Sequence, residues 1–234
     1  VLIKGNNGLS FYKRWHHKAI AVKNDSDLRK VLQKQLAGVR PDEYFIQELI
    51  PDKHKTVSVT VFAVKGKVMS HWAGVKLRSH PINFGTATCC QSVYDAEMLE
   101  LSKQLISELN YTGVCEIEWL RDPRDNEPKL FEINARTWLW VGLAAKCGVN
   151  YPLQIWNYLV KGELPKEVKY ATGKIWLNLY TDLFYSLKLI LKRLVSPKEI
   201  LASYRCFHEA CWDWRDPLPF FIYGALLLTF LRRR

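Results

Sequence analysis

Two strand-like segments of the sequence carry chemically active side chains at alternate positions. Glu116 and Glu118 lie in the first segment, and Glu132, Asn134 and Arg136 lie in the second. Side chains alternate between the two faces of a β-strand, so residues two apart share a face. Each segment therefore gathers these polar side chains on one face, and the opposite face is apolar.

The residues between the two segments are polar and turn-forming. Asp, Asn and Pro are frequent in 122–128, which predicts an antiparallel hairpin. A hairpin centred in the middle of this stretch places Glu118 opposite Glu132 and Glu116 opposite Asn134. Such pairing would gather several oxygen ligands into one patch.

The predicted patch indicates cation binding. Carboxylates crowded on one sheet face repel one another unless protons, cationic side chains or a metal ion neutralise them. Ligands that are all oxygen atoms favour a hard cation, and Mg²⁺ is the expected ion. The same alternation is also typical of the solvated face of an amphipathic hairpin, and this second interpretation stays open here.

Composition favours a folded protein with an anionic partner. The chain has 234 residues, 48% of them apolar, and a formal net charge of +11. That charge suits a nucleotide, a nucleic acid or an acidic membrane surface. The sequence contains no aromatic RNA-binding signature and no zinc-finger spacing, so we expect no nucleic-acid partner. The six cysteines form no Cys-x-x-Cys pair, which favours reduced thiols and a cytoplasmic location.

Hydrophobic periodicity predicts a mixture of strands and helices. The strand 45–50 is expected to be buried, and the helix that carries Leu28 to Leu36 is expected to be capped by Asp25 to Asp27. The other predicted strands are 1–4, 57–64 and 67–74, and the other predicted helices are 95–110, 139–147, 152–161 and 183–195. Because the chain starts inside an apolar run without Met, we expect a further segment upstream.

This order of elements resembles the ATP-grasp superfamily. The segment 132–136 is similar to the superfamily's Glu-x-Asn-x-Arg signature, and Glu118 matches its other metal carboxylate. Lys4 matches the lysine that reaches the nucleotide phosphates. Residues of the adenine-binding hinge are matched by Gln47, Glu48, Leu49 and Ile50.

Further phrases resemble one branch of the superfamily, the predicted ATP-dependent carboxylate-amine ligases. These phrases are 76–81, 84–88 and 216–219. The branch is similar to D-aspartate ligase and more distantly to carbamoyl-phosphate synthase and biotin carboxylase. Lys76 and Arg78 project from the same side of a strand, so they either extend a cationic wall of the site or are exposed basic residues near a strand end.

The resemblance implies an α+β ATP-grasp fold with two lobes whose antiparallel sheets grip the nucleotide. Residues 1–50 would form a partial N-terminal nucleotide-binding lobe, 51–165 the C-terminal lobe with the metal site, and 166–234 a helical tail. It also implies ATP as cofactor. The metal ion would be Mg²⁺, or Mn²⁺ in its place, and it would be held by Glu118, Glu132 and Asn134. Arg136 would face the transferred phosphoryl and acyl groups.

The implied activity is an ATP- and Mg²⁺-dependent ligation of a small carboxylic acid to an amine. It would proceed through an acyl phosphate and release ADP and phosphate.

The sequence departs from the family in two respects. The family's N-terminal Rossmann-like domain is not in this chain, and Asp52 and Lys55 stand where the family often has a ribose-binding acid. The alternatives are a non-catalytic nucleotide- or polyanion-binding module and a membrane-peripheral scaffold. Neither the oligomeric state nor the identity of the substrates can be read from the sequence.

The C-terminal residues 217–234 form an apolar run followed by three arginines. This run is shorter than the roughly 20 residues that a membrane-spanning helix needs. It fits either an anionic membrane interface or a helix packed on the main domain or on a partner subunit.

Overall fold

The computed structural model describes most of the chain. The described residues are 1–17, 19–51, 56–80, 85–205 and 207–232, with side chains described up to residue 227. Several residues singled out in the sequence lie outside this description: Asp52, Lys55, Pro81, Phe84, Arg233 and Arg234. The chain divides into two compact units, Val1–Lys53 and His54–Arg234, close to the boundary that the sequence predicts after residue 50.

The first unit contains a small antiparallel sheet with two helices. Its strands are β1 (Leu2–Gly5), β2 (Ile20–Ala21) and β3 (Tyr44–Gln47), and β1 lies in the middle of the sheet. Its helices are α1 (Gly8–Trp15) and α2 (Asp25–Lys30), which continues as a π-helical segment over Val31–Gln35, and a 3₁₀ turn covers Pro41–Glu43. The core of the unit contains Ile3, Phe11, Val22 and Leu36.

Two predictions for this unit need correction. The predicted cap of α2 at 25–27 is displaced, because the side chain of Asn24 accepts the hydrogen bond from the backbone nitrogen of Asp27 at 2.9 Å. The predicted strand 45–50 ends at Gln47 and is not buried. As an edge strand with β1 as its sheet neighbour, β3 leaves Phe45 43% exposed and Ile46 46% exposed.

The second unit is built on a seven-stranded mixed sheet. Its strands are β4 (Val57–Val64), β5 (Lys67–His80), β6 (Thr86–Val93), β7 (Gly113–Arg121), β8 (Pro128–Asn134), β9 (Ile175–Leu177) and β10 (Phe207–Glu209). Their order in the sheet is β10-β9-β6-β5-β4-β7-β8, and all neighbours are antiparallel except β9 and β10. An α+β fold with antiparallel sheets is therefore confirmed.

The helices of this unit cover both faces of the sheet or follow it in the chain. They are α3 (Ala96–Glu108), α4 (Val141–Lys146), α5 (Tyr151–Lys161), α6 (Leu179–Leu191), α7 (Pro197–Ser203) and α8 (Leu218–Arg232). Met98 and Ile106 of α3 pack on one sheet face against Val61 and Ile117. On the other face, an aromatic cluster packs with Leu143 and comprises Trp72, Trp138, Trp140 and Tyr151.

The predicted hairpin of β4 and β5 is confirmed. Its turn is formed by Lys65 and Gly66, whose φ values are 48° and 75°. Two consecutive residues with positive φ are typical of the tight turns that match the twist of a hairpin. The β5 strand continues beyond the predicted end at residue 74, to His80, because β6 pairs with its second half.

The C-terminal part is not only a helical tail, as the sequence predicts for 166–234. It also contributes β9 and β10, and β9 joins the sheet by pairing Leu177 with Cys89. The helix predicted at 183–195 begins earlier, because Asn178 caps α6 by accepting a hydrogen bond from the backbone nitrogen of Thr181. Among the described residues, no helix has the length and apolar character needed to cross a membrane.

Gly74 allows two tryptophans to pack closely on β5. A Cβ atom at this position would lie 2.4 Å from the ring of Trp72 and 2.5 Å from the ring of Trp140. Both rings are buried, so neither can move without disturbing the aromatic cluster. We expect Gly74→Ala to lower the free energy of unfolding by about 2 kcal/mol in urea denaturation, since overpacking a filled core forces side chains out of their rotamers.

Gly142 in α4 provides the matched control. A Cβ atom there meets nothing within 4 Å, and the position is helical. Gly142→Ala should leave stability unchanged or raise it by about 0.5 to 1 kcal/mol. Equal effects of the two substitutions would contradict the close packing at Gly74.

Candidate functional site

The β7–β8 hairpin has the predicted register at the acidic residues. Glu118 lies opposite Glu132, and Glu116 lies opposite Asn134. A β-bulge after Glu118 then shifts the pairing, so that Trp119 lies opposite Leu130. The hairpin prediction is confirmed where it matters for the site, and the slip is confined to the part nearer the turn.

Four side chains form a compact polar group on this sheet face, called the carboxylate cluster below: Lys76, Glu116, Glu118 and Asn134. The ammonium nitrogen of Lys76 lies 2.7 Å from Oε1 of Glu118. The amide nitrogen of Asn134 donates to Oε2 of Glu116 at 3.2 Å and lies 3.4 Å from Oε1 of Glu118. A cationic side chain and an amide thus compensate two carboxylates that are 3% and 5% exposed.

Burial perturbs the titration of this cluster. Desolvation, followed by repulsion from Glu118, raises the pKa of Glu116 to about 7. Desolvation lowers the pKa of Lys76, but the negative charges of Glu118 and Glu116 outweigh it and the pKa is raised overall. In the described part of the chain, the buried Oε1 atom of Glu116 has no hydrogen-bond partner. The cluster therefore retains an oxygen that could still accept a proton or a donor.

The two remaining residues of the signature are exposed. Glu132 lies on the edge strand β8 directly opposite Glu118. Arg136 donates from Nη2 to Oδ1 of Asn134 at 3.2 Å and from Nη1 to the carbonyl of Thr137 at 3.0 Å. Its guanidinium thus lies beside the carboxylate cluster and is accessible from solvent.

The donor set of this face suits a hard cation. In the described ranges, no three or more His, Cys, Asp or Glu side chains converge closely enough to hold a metal ion. The predicted set of Glu118, Glu132 and Asn134 offers two carboxylates and one amide oxygen, so Mg²⁺ there would complete its coordination with water and phosphate oxygens. Asn134 would have to turn its amide oxygen, which now accepts from Arg136, towards the carboxylates.

Arg78 is placed differently from the prediction that it extends a cationic wall with Lys76. Its Nη2 atom lies 2.7 Å from Oδ2 of Asp182 on α6 and donates to Ser203 of α7 at 2.8 Å. The reason is a pair of β-bulges in β5 and β6, around Arg78, that break the period-two alternation. Arg78 therefore forms a buried structural ion pair with Asp182. Of the two basic residues, Lys76 is the one that lies at the carboxylate cluster.

Asp182 is the centre of this second polar network. Besides Arg78, it accepts hydrogen bonds from Thr88 at 2.7 Å, Tyr204 at 2.9 Å and Ser186 at 3.1 Å. Burial acts to raise the pKa of Asp182, but the hydrogen bonds from Arg78 and Thr88 outweigh it, so the pKa is lowered. The network fastens α6 to β5 and β6.

The predicted nucleotide residues belong to the first unit. Lys4 is half-buried on β1 opposite Phe45. Gln47 ends β3, and the residues after it, 48–50, have no regular secondary structure. The roles of Lys4, Gln47, Glu48, Leu49 and Ile50 stay predictions.

Sequence reasoning missed two features of the second unit. The resemblance places Glu118 but not Glu116 among the metal ligands, although both side chains are buried and burial raises the pKa of Glu116. Asp182 was not singled out at all. An available signal was that Asp182 is the only acidic residue in the largely apolar helix α6.

Glu116 should make stability depend on pH. Its pKa is about 7 in the folded chain, against an ordinary value of 4.5, so the folded state binds the proton more tightly. This stabilisation is complete below pH 4.5 and is lost as the pH rises through 7. We expect Glu116→Gln to gain on the order of 2 to 3 kcal/mol relative to wild type between pH 4.5 and 8 in urea denaturation with a chelator.

The control for this experiment is Glu127→Gln, in the exposed turn of the same hairpin. Its stability should follow the wild-type pH profile. A Glu116→Gln profile parallel to wild type would show that Glu116 is not desolvated as the structure indicates.

Arg78→Met should destabilise the fold, because it leaves the fully buried Asp182 without its charge partner. We expect a loss of about 3 kcal/mol in the free energy of unfolding and a coupling of about 2 kcal/mol with Asp182→Asn in a double-mutant cycle. Arg121→Met, which removes a partly exposed pair with Glu97, should cost less than about 1 kcal/mol. Unchanged stability of Arg78→Met together with lost nucleotide binding would return Arg78 to the predicted wall.

Comparisons with known proteins add information at the level of the fold. No protein-family model matches the sequence, and no curated protein matches it either. Solved structures do match. N5-carboxyaminoimidazole synthetase from Staphylococcus aureus is 15% identical, with a TM-score of 0.56, and the match covers 82% of this chain and 49% of that chain.

Two carboxylases match similarly, each at 15% identity. Biotin carboxylase from Campylobacter jejuni has a TM-score of 0.54, with 74% of this chain and 40% of that chain covered. Rhizobium etli pyruvate carboxylase has a TM-score of 0.53, with 74% of this chain and 16% of that chain covered. This chain thus spans less than half the length of these three proteins, which share the ATP-grasp architecture. The order and register of the strands and these likenesses together show that the chain has the ATP-grasp fold.

Proposed function

We propose that this chain is the ATP-grasp part of an ATP- and Mg²⁺-dependent ligase that joins a small carboxylic acid to an amine. The observation that carries the proposal is the carboxylate cluster, in which two buried carboxylates share a sheet face with Glu132 and, through Asn134, with the guanidinium of Arg136. Another protein that matches this chain is known as a nucleotide complex. The biotin carboxylase domain from Hydrogenobacter thermophilus was solved with MgADP, ADP and bicarbonate.

In the carboxylate cluster, a bound cation would take the place of the Lys76 ammonium as the partner of Glu118. Lys76 now neutralises Glu118 at 2.7 Å. When Mg²⁺ is bound, it supplies the charge that draws phosphate oxygens to this face. A cation on Glu118 competes with the ammonium of Lys76, so Lys76 would become free to contact an anionic phosphate or acid.

The remaining residues would orient the reacting groups. Arg136 offers a planar pair of donors next to Asn134, suited to a transferring phosphoryl group or a planar carboxylate. The carboxylate oxygen of the acid attacks the terminal phosphorus of ATP, and ADP leaves. The amine then attacks the acyl carbon, a proton leaves the nitrogen, and phosphate departs. In both steps the bonds form and break between the substrates themselves, and no side chain forms a covalent bond to them. The chain would therefore act by aligning the reacting groups and by neutralising their charge.

Several finer points are part of the same proposal. Lys4 would reach the phosphates and 47–50 would meet adenine, as the resemblance implies. Mn²⁺ would be able to replace Mg²⁺. A cytoplasmic location is proposed from the cysteine spacing of the sequence alone.

The first test is calorimetric titration of this chain with ATP in the presence and absence of Mg²⁺. We expect saturable binding that requires Mg²⁺ and that weakens at least tenfold in Glu118→Gln and in Glu132→Gln, because each loses a charged oxygen ligand. Glu127→Gln, on the same hairpin but in its turn, should bind like wild type. Equal affinity of all four proteins would contradict cation binding at this face.

The products then decide the reaction class. With hydroxylamine present and a panel of carboxylic acids supplied, an accepted acid should yield ADP and a hydroxamate. Arg136→Lys should keep most of the nucleotide affinity but lose most of the turnover, since a point charge cannot replace two aligned donors. Release of AMP and pyrophosphate would contradict the proposal, and Mg²⁺-dependent binding with no turnover for any acid would favour the non-catalytic module.

A further inference from the structure

Helix α6 presents an apolar stripe to solvent. Leu183, Leu187, Leu191 and Leu194 are exposed by 60%, 58%, 75% and 58%. Leu183, Leu187 and Leu191 recur every four residues, which places them on one side of α6, and Leu194 follows in the turn after the helix. This set is called the leucine stripe below. Several adjoining exposed leucines form the kind of apolar patch that marks an interaction surface.

The orientation of α6 cannot relieve this exposure. Its opposite side is fixed on the sheet by Asp182, Ser186 and Leu189, which are 0%, 2% and 7% exposed. Asp182 also forms the buried ion pair with Arg78. Because rotation of α6 would break that ion pair, the leucine stripe stays directed away from the sheet.

The charges around the stripe have almost one sign. In 183–205, the exposed charged side chains comprise five cations and one anion: Lys188, Lys192, Arg193, Lys198 and Arg205 against Glu199. The anion is already engaged, because Glu199 and Ser196 form the capping box of α7. Lys188 lies 4.4 Å above the ring of Phe184, so its stem follows the apolar surface while its charge remains at the edge.

A second apolar element adjoins the first turn of α6. The Tyr180 ring lies 4.8 Å from the ring of Phe220 on α8. Leu218 and Phe221 of α8 are 61% and 59% exposed, and Trp214 ahead of the helix is 85% exposed. Exposed tryptophan and cationic side chains around leucine are typical of helices that lie in a membrane interface.

We propose that the leucine stripe and α8 bind the surface of an anionic lipid bilayer, with the leucines inserted among the acyl chains and the surrounding cations at the headgroups. The segment of the stripe has five exposed cations against one anion, and ahead of α8 Arg215 stands with Asp213 and Asp216, so the exposed charges of the proposed surface sum to a positive value. That excess suits anionic headgroups better than an apolar protein partner. This binding is independent of the proposed ligase activity, because none of its residues belongs to the carboxylate cluster.

Vesicle flotation tests the proposal. We expect wild type to float with vesicles of phosphatidylcholine and phosphatidylglycerol, and to float at least tenfold less with phosphatidylcholine alone. Leu187→Glu/Leu191→Glu should abolish flotation, whereas Leu159→Glu should not, although Leu159 on α5 is equally exposed at 72%. Lys192→Gln/Lys198→Gln should weaken flotation severalfold, and 0.5 M NaCl should do the same to wild type.

Controls separate the lipid surface from other occupants. Lys166→Gln/Lys169→Gln removes the same charge from exposed positions outside the surface and should float like wild type. Circular dichroism must show a folded double leucine variant, and Leu191→Glu alone, at the last residue of α6, serves if the double variant does not fold. No flotation of wild type would overturn the proposal. So would a wild-type dimer in sedimentation that Leu187→Glu/Leu191→Glu converts to a monomer.

Discussion

The carboxylate cluster depends on charge compensation across the middle of the sheet. β7 buries Glu116 and Glu118 on one face, and two carboxylates in that position cannot both be ionised without a counter-charge. The counter-charge comes from Lys76 on β5, a strand that is separated from β7 by β4. Ser58 of β4 is paired with both Glu118 and Gly74, and the rings of Trp72 and Trp140 pack over Gly74 on β5. A cation on this face would replace Lys76 as the partner of Glu118 and would require Asn134 to turn its amide oxygen towards the carboxylates.

A second buried ion pair holds the C-terminal helices in place. Arg78 and Asp182 join β5 to α6, with Ser203 of α7 and Thr88 of β6 as further partners. Both ion pairs involve a basic residue of β5, and these two residues are two positions apart. Lys76 serves the polar face of the hairpin, whereas Arg78 fixes the helix that carries the leucine stripe.

The sequence was sufficient for features that follow from local alternation and turn chemistry. The hairpin of β7 and β8 and the shared sheet face of Glu118 and Glu132 could be predicted from a polar turn and the period of two, whereas their direct pairing also depends on the β-bulge after Glu118. Features set by bulges and by distant partners could not. The bulges around Arg78 break the alternation that predicts it beside Lys76. Its actual partner, Asp182, lies 104 positions away in the chain.

Mn²⁺-induced relaxation in an ¹⁵N-labelled sample tests the central claim, that the β7–β8 face is a cation site, most directly. With Mn²⁺ and ATP added, the backbone amides of Glu118, Glu132 and Asn134 should broaden first and most strongly, and excess Mg²⁺ should restore them, since both ions use the same oxygen ligands. The Asn134 side-chain amide should broaden with them. Broadening confined to other parts of the chain, or none at these amides, would contradict the account.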